Sequence, residues 1–235
     1  METEDQGNKT KGRIGFRKAT GLSLAALLFG PLLLAGCATS PSPKPDEHLA
    51  QPRKTPVEPI APAVMKAPGF MIGHAGPLIV VFMDPNCIYC HLLWDALQKP
   101  VANGQLRAKI IPVGFLKNSS VAKAATILAA NDRAAAWANN EKGFNDNTEE
   151  GGTRPLAHVP SKDIAAINTN TALLQTSGEE ATPTLLFCQK HSSDTNATED
   201  ETSPRITVEH GIAMHALPAL IDSLDGNVSA AGCTP

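Results

Sequence analysis

The chain has 235 residues, 42% of them hydrophobic and 18% charged, with a formal net charge of −3. That length accommodates one domain of ordinary size plus additional segments. The mild acidity gives no support for nucleic-acid binding, which usually needs a basic stripe, and an aromatic content of 4% argues against an aromatic-rich stacking surface.

The first predicted element is a targeting segment. Lys9, Lys11, Arg13, Arg17 and Lys18 precede an apolar run, "LSLAALLFGPLLLAGC", broken by Gly30 and Pro31. A basic start, a short apolar stretch and small residues are the pattern of a secretory signal. The run is short for a membrane span, which takes about 20 apolar residues. Its end, Leu34 to Cys37 ("LAGC"), resembles the bacterial lipoprotein signal. That resemblance implies cleavage after residue 36, lipidation of Cys37 and anchoring to a membrane. Ala38 after the cysteine points to the outer membrane on the periplasmic side. Residues 37–76 follow as a proline-rich tether, extended rather than folded.

A domain is expected over 77–228. "LIVVFM" (78–83) is continuous and rich in β-branched residues, the pattern of a strand buried on both faces. "DPNC" turns the chain into a helical pattern, "CIYCHLLWDALQK", with Leu93, Ala96 and Leu97 at core spacing. Pro100 and Asn103-Gly104 end it. A second strand lies in 106–115. A helical insertion fills about 117–176, with a break at Asn131-Asp132. Its last helix has Ser161 as N-cap and Gly178 as stop. Strands are expected at 182–189 and 205–211, separated by a polar loop, then a helix at 215–224 and a tail at 229–235. The order is strand, helix, strand, helical stretch, strand, strand, helix. It matches an α/β thioredoxin fold carrying a helical insertion.

The chemistry sits in "CIYCH", Cys87 to His91. Cys-x-x-Cys is a redox dithiol pattern, and Cys-x-x-Cys-His is a c-type haem attachment pattern. A dithiol needs one exposed, ionised sulfur. A helix start supplies N–H groups and a dipole that favour such a thiolate at Cys87. Cys90, nearly one turn on, is placed to close the disulfide. Haem would take His91 as axial ligand, with Met214 or His215 as a second. A buried strand running straight into the motif suits the dithiol and not a small helical cytochrome, and His91 is then expected on an exposed helix face. No second Cys-x-x-Cys pair supports a zinc site. Of the five cysteines, Cys188 and Cys233 remain as either a structural disulfide or two free thiols.

"VVFMDPNCIYCHLLWDAL" resembles the active-site segment of the DsbG and DsbC family of periplasmic disulfide isomerases, most closely its DsbG branch. The resemblance continues through "IIPVGFLKNSSVAKAATILAANDRAAAW" and "EATPTLLF", covering about 77–226. It implies a protein disulfide isomerase or thiol-disulfide oxidoreductase. Cys87 would be the nucleophile, Cys90 the resolving thiol, and Ile88 and Tyr89 the residues that tune their redox poise. Thr182 and a cis Pro183 would form the substrate-binding loop, and Asp84-Pro85 would shape the turn. The resemblance also implies clients with disulfides or oxidised cysteines, a DsbD-like membrane reductant and no cofactor beyond the dithiol. Two departures stand out. The family's N-terminal dimerisation domain has no counterpart ahead of residue 77, and Ile88 stands where the DsbG branch has proline. Cys188 and Cys233 are additions to the family pattern. A non-catalytic chaperone or assembly factor on the same scaffold is the alternative from a different class.

Overall fold

The computed structural model describes residues 60–189 and 204–235; the expected signal peptide, Cys37 and most of the expected tether lie outside them. The first described element falls inside the expected tether. Helix α1 spans Ala61–Lys66 and strand β1 spans Phe70–Ile72. The proline-rich composition hid α1 because a proline in the first helical turn costs no hydrogen bond. Ala61 and Val64 are fully buried, and Lys109 Nζ caps the far end by donating to the carbonyls of Val64 and Met65 at 3.1 and 2.6 Å.

The next elements are β2 (Leu78–Met83), α2 (Ile88–Ala102), β3 (Arg107–Pro112), α3 (Ser120–Ala129), α4 (Arg133–Lys142) and α5 (Ser161–Gln175). They are followed by β4 (Thr184–Gln189), β5 (Arg205–His210), a 3-10 turn (Met214–Ala216) and α6 (Leu217–Ser223). Helix α2 runs two residues past Pro100 to Ala102, with Asn103 as its C-cap and Gly104 at a φ of +69°. Helix α5 begins at Ser161 itself, with Pro160 in the cap position and no side-chain cap, so Ser161 is not the N-cap. The expected tail is a hairpin, β6 (Asn227–Ser229) paired with β7 (Gly232–Thr234). Three-residue strands are too short to leave a periodic signal.

The main sheet has the order β1-β3-β2-β4-β5. Strand β2 runs parallel to β3 and antiparallel to β4, which places it at the centre. All six residues of β2 are buried, because both faces of the sheet are covered. Alternate side chains enter different cores. Ile79, Val81 and Met83 pack with Leu93 and Leu97 of α2, Trp137 of α4 and Leu220 of α6. Val80 and Phe82 pack with Val64 of α1, Leu174 of α5, Cys188 of β4 and Val228 of β6.

Cys188 and Cys233 are joined in a disulfide that ties β4 to β7. Asn227 adds a second tie: its Oδ1 accepts from the Leu78 amide at 3.0 Å and from Arg107 Nη2 at 3.1 Å. The cross-link closes a loop with a sequence separation of 45. Replacing both cysteines by alanine is expected to lower unfolding stability by about 3–4 kcal/mol, the chain-entropy value for such a loop. Denaturant titration of the double variant measures it. A loss under about 1 kcal/mol would mean that packing alone holds the hairpin.

Candidate active site

The site is built where β2 hands the chain to α2. Asp84, the first residue after the strand, is fully buried, and its carboxylate accepts four hydrogen bonds. Oδ1 takes the Asn86 amide at 2.9 Å and Ser120 Oγ at 2.8 Å. Oδ2 takes the amides of Phe115 at 2.9 Å and Leu116 at 3.1 Å. One side chain therefore fixes the turn, the exit of β3 and the entry to α3. The Cys87 amide closes the turn on the Asp84 carbonyl at 3.1 Å.

Asn86 extends this network into the helical insertion. Its Nδ2 donates to Ser119 and Ser120 hydroxyls, each at 3.0 Å. Its Oδ1 accepts from the buried Lys123 Nζ at 2.9 Å and from the Gly151 amide at 3.1 Å. Lys123 also pairs with Glu150, which holds the Glu150 carboxyl below its ordinary range. Gly151 passes so close to the turn that a Cβ there would meet the Pro85 carbonyl oxygen at 2.2 Å. The insertion is thus the outer wall of the turn that carries the dithiol.

Cys87 is the N-cap of α2, with φ −91° and ψ 116°. Its sulfur accepts from the Cys90 amide at 3.2 Å, in the place where a serine or aspartate oxygen caps other helices. The same sulfur lies 3.3 Å from the Thr182 carbonyl oxygen, to which the thiol donates. Both cysteines are free thiols; Cys87 is 4% exposed and Cys90 is wholly buried. The Cys90 side chain, the hydroxyl-bearing Thr182 and the amides of Cys90 and Tyr89 hold the Cys87 thiol below its ordinary value, against the opposing effect of burial. Burial pushes the Cys90 thiol well up, and the neighbouring Cys87 adds to that. Of the two thiols, Cys87 is therefore the one that loses its proton more readily.

The Thr182–Pro183 bond is cis and places the Thr182 carbonyl against Cys87. The Pro183 carbonyl accepts from the Gly211 amide at 2.7 Å, which anchors the loop to the end of β5. Ile88 is half-buried, Tyr89, between the two cysteines, is 62% exposed, and Leu92 further along α2 is 43% exposed. A surface cavity of about 760 Å³ lies elsewhere, between β1 and the α3–α4 junction, and is lined by Phe70, Leu128, Arg133 and Asp163 among others.

His91 departs from its expected place. It is half-buried, with Nδ1 3.0 Å from Glu141 Oε2 and its ring stacked on Phe144 at 4.6 Å and 7°. Glu141 is 50 residues away and Phe144 lies beyond it, so helix periodicity gave no sign of them. Met214 packs partly buried against the core that contains both cysteines, and His215 beside it is exposed. The residues missed in the sequence were Asn86, Lys123, Asn140, Glu141 and Glu150. One signal existed: Ser120, Lys123, Ala124 and Ile127 fall on one helical face, and a lysine on an otherwise small or apolar face needs a buried partner.

A dithiol at a strand-to-helix junction, facing a cis-proline loop across a mixed sheet, defines a thioredoxin-like redox scaffold. The family model described as thioredoxin-like domain matches residues 71–199, and the chain belongs to that family. Among curated proteins, it is 30% identical over 110 residues to the thiol:disulfide interchange protein DsbG of Pseudomonas aeruginosa, covering 47% of this chain and 41% of that one. It is 31% identical over 121 residues to DsbG of Escherichia coli, covering 50% of this chain and 46% of that one. Each match spans less than half the relative's length. Of solved structures, a periplasmic thioredoxin-like protein from Salmonella enterica serovar Typhimurium aligns with a TM-score of 0.50 and 23% identity, over 69% of this chain and 94% of that one. ScsC of Proteus mirabilis in a compact conformation aligns with a TM-score of 0.50 and 18% identity, over 75% and 82%. These two likenesses concern the fold.

Proposed function

We propose that this protein is an envelope thiol-disulfide oxidoreductase of the isomerase or reductase type, acting on protein disulfides through Cys87 and Cys90. The observation that carries the reading is the Cys87 sulfur, set at a helix start and 3.3 Å from the carbonyl of a cis Thr182–Pro183 loop. The Cys87 thiolate attacks one sulfur of a client disulfide. A bond forms between Cys87 and that sulfur as the client bond breaks, and the departing client sulfur leaves as a thiolate and takes a proton from water. Cys90 then loses its proton and attacks Cys87, closing the internal disulfide and releasing the second client thiolate. Two electrons pass from the dithiol to the client, and no further cofactor enters the exchange. The client's extended backbone lies along Thr182 and Pro183, with the exposed Tyr89 beside the dithiol. Ile88 and Tyr89, between the two sulfurs, tune the poise.

The basic start, the apolar run and "LAGC" support export and a lipid anchor at Cys37, with the domain held on the periplasmic side of the outer membrane. The resemblance to DsbG supports a DsbD-like membrane reductant that returns the dithiol to its reduced state.

The Cys90→Ala variant tests the scheme. It keeps the attacking sulfur and removes the resolving one, so client proteins are expected to accumulate as mixed disulfides on Cys87. Non-reducing gels after acid quench and alkylation read the adducts. A variant that carries none under conditions where the wild-type protein turns over contradicts the scheme and leaves the scaffold as a binding module.

A further inference from the structure

Three consecutive carbonyls in the loop that faces Cys87 are each held by a different donor. Ala181 accepts from Thr184 Oγ1 at 2.8 Å, Thr182 from the Cys87 thiol at 3.3 Å, and Pro183 from the Gly211 amide at 2.7 Å. The two outer donors depend on the end of β5. Gly211 follows that strand directly at a φ of +77°, a conformation glycine adopts without strain. Thr184 opens β4 and stands opposite His210, the last residue of β5, in the register of the two strands. Its hydroxyl lies 2.9 Å from His210 Nδ1.

Thr184 is fully buried, and among the described residues its hydroxyl meets two partners, the Ala181 carbonyl and the half-buried His210 ring. A hydroxyl has one proton to give. A carbonyl can only accept, so that proton goes to Ala181, and the imidazole must then be the donor. With Nδ1 bare, two acceptors would compete for one proton, and one of them would be left short at a buried position. Both contacts are hydrogen bonds together only when Nδ1 carries the proton. The chain therefore runs one way, from the imidazole N–H to the hydroxyl and from the hydroxyl to the Ala181 carbonyl. A Thr–His cross-strand pair could serve the sheet alone. Here the second bond leaves the sheet and reaches back three residues, past Pro183, to the far side of the loop.

We propose that His210 is a positioning residue for client binding: through the Thr184 hydroxyl it fixes the backbone that Thr182 and Pro183 offer to a client. The inference rests on the function proposed above and adds a residue to the same site. His210 is remote from the dithiol in sequence and makes no bond to either sulfur, so it acts on how tightly a client is held and not on the exchange of electrons.

The test is steady-state reduction of a disulfide-bridged peptide, with reduced glutathione as the recycling reductant. His210→Phe keeps a ring and loses the donor. Its KM is expected to rise about tenfold, the size of one lost hydrogen bond, with kcat within about twofold of wild type. His210→Asn restores an N–H close to the place of Nδ1 and is expected to bring KM back to within about threefold of wild type. Thr184→Val removes the middle of the chain, so its effect and that of His210→Phe are expected not to add in the double variant. An unchanged KM in His210→Phe, a loss carried by kcat, an asparagine variant no better than phenylalanine, or additive effects overturn the proposal. A second measurement uses the wild type alone: the nitrogen-15 resonances of the neutral His210 ring are expected to place the proton on Nδ1, and a proton on Nε2 overturns the chain of bonds without any variant. Failure of the dithiol reading looks different, since the wild type then turns over no peptide disulfide at all, whatever the ring tautomer.

Discussion

Replacing Cys87 by serine is expected to reduce insulin-disulfide reduction by about a thousandfold or more, to the uncatalysed background, because a serine hydroxyl is un-ionised at neutral pH and forms no disulfide. The same substitution is expected to leave the fold intact. Cys87 is the N-cap of α2, and its sulfur accepts from the Cys90 amide. Serine is among the preferred residues for that role, so the helix start keeps its cap. Few variants of this protein separate chemistry from architecture so cleanly. The thermal midpoint should stay within a few degrees of wild type while turnover vanishes. Retained turnover would remove Cys87 from the mechanism.

Replacing Asp84 by alanine is expected to do the reverse and attack the architecture. The carboxylate serves three backbone amides, those of Asn86, Phe115 and Leu116, together with the Ser120 hydroxyl. No other acceptor takes these amides among the hydrogen bonds of the described residues, and the alanine methyl offers none. A buried unsatisfied donor costs about 1–3 kcal/mol, and shared relaxation makes several of them less than additive. A loss of about 3–5 kcal/mol is therefore expected, a large part of the stability of an ordinary domain. Asp84→Asn keeps one acceptor oxygen but aims an amide group at donors, so it should fall between alanine and wild type. Urea titration followed by tryptophan fluorescence measures both, since Trp94 and Trp137 are buried in the core that contains the dithiol. An alanine variant within about 1 kcal/mol of wild type would show that solvent replaces the carboxylate.

These expectations also mark how far the sequence was legible. The buried run 78–83, the turn at Asp84-Pro85 and the helix behind Cys87 are local patterns, and each fell where periodicity put it. The insertion broke at Asn131-Asp132 as read, and Asp132 caps α4 by accepting from the Ala135 amide at 2.9 Å. What stayed hidden depends on contacts between distant residues. Helix α1 is six residues long in a proline-rich stretch and is held by two small buried side chains and a lysine from β3. The C-terminal hairpin owes its place to a disulfide and to Asn227, neither of which leaves a periodic trace. His91 looked like an exposed helix residue because its partner and its ring neighbour belong to α4 and the loop after it. Asp84 was recognised as a turn residue, but its four donors come from three separate segments.

The most direct test of the account is an exchange stoichiometry. The reduced protein is mixed with a peptide disulfide, quenched in acid, alkylated and weighed by mass spectrometry. The account predicts that each molecule of protein loses two alkylatable thiols, that peptide mapping joins Cys87 to Cys90, and that two peptide thiols appear for each internal disulfide formed. Cys87 and Cys90 both remaining open to alkylation while the peptide is reduced, or a peptide disulfide left untouched, would contradict it.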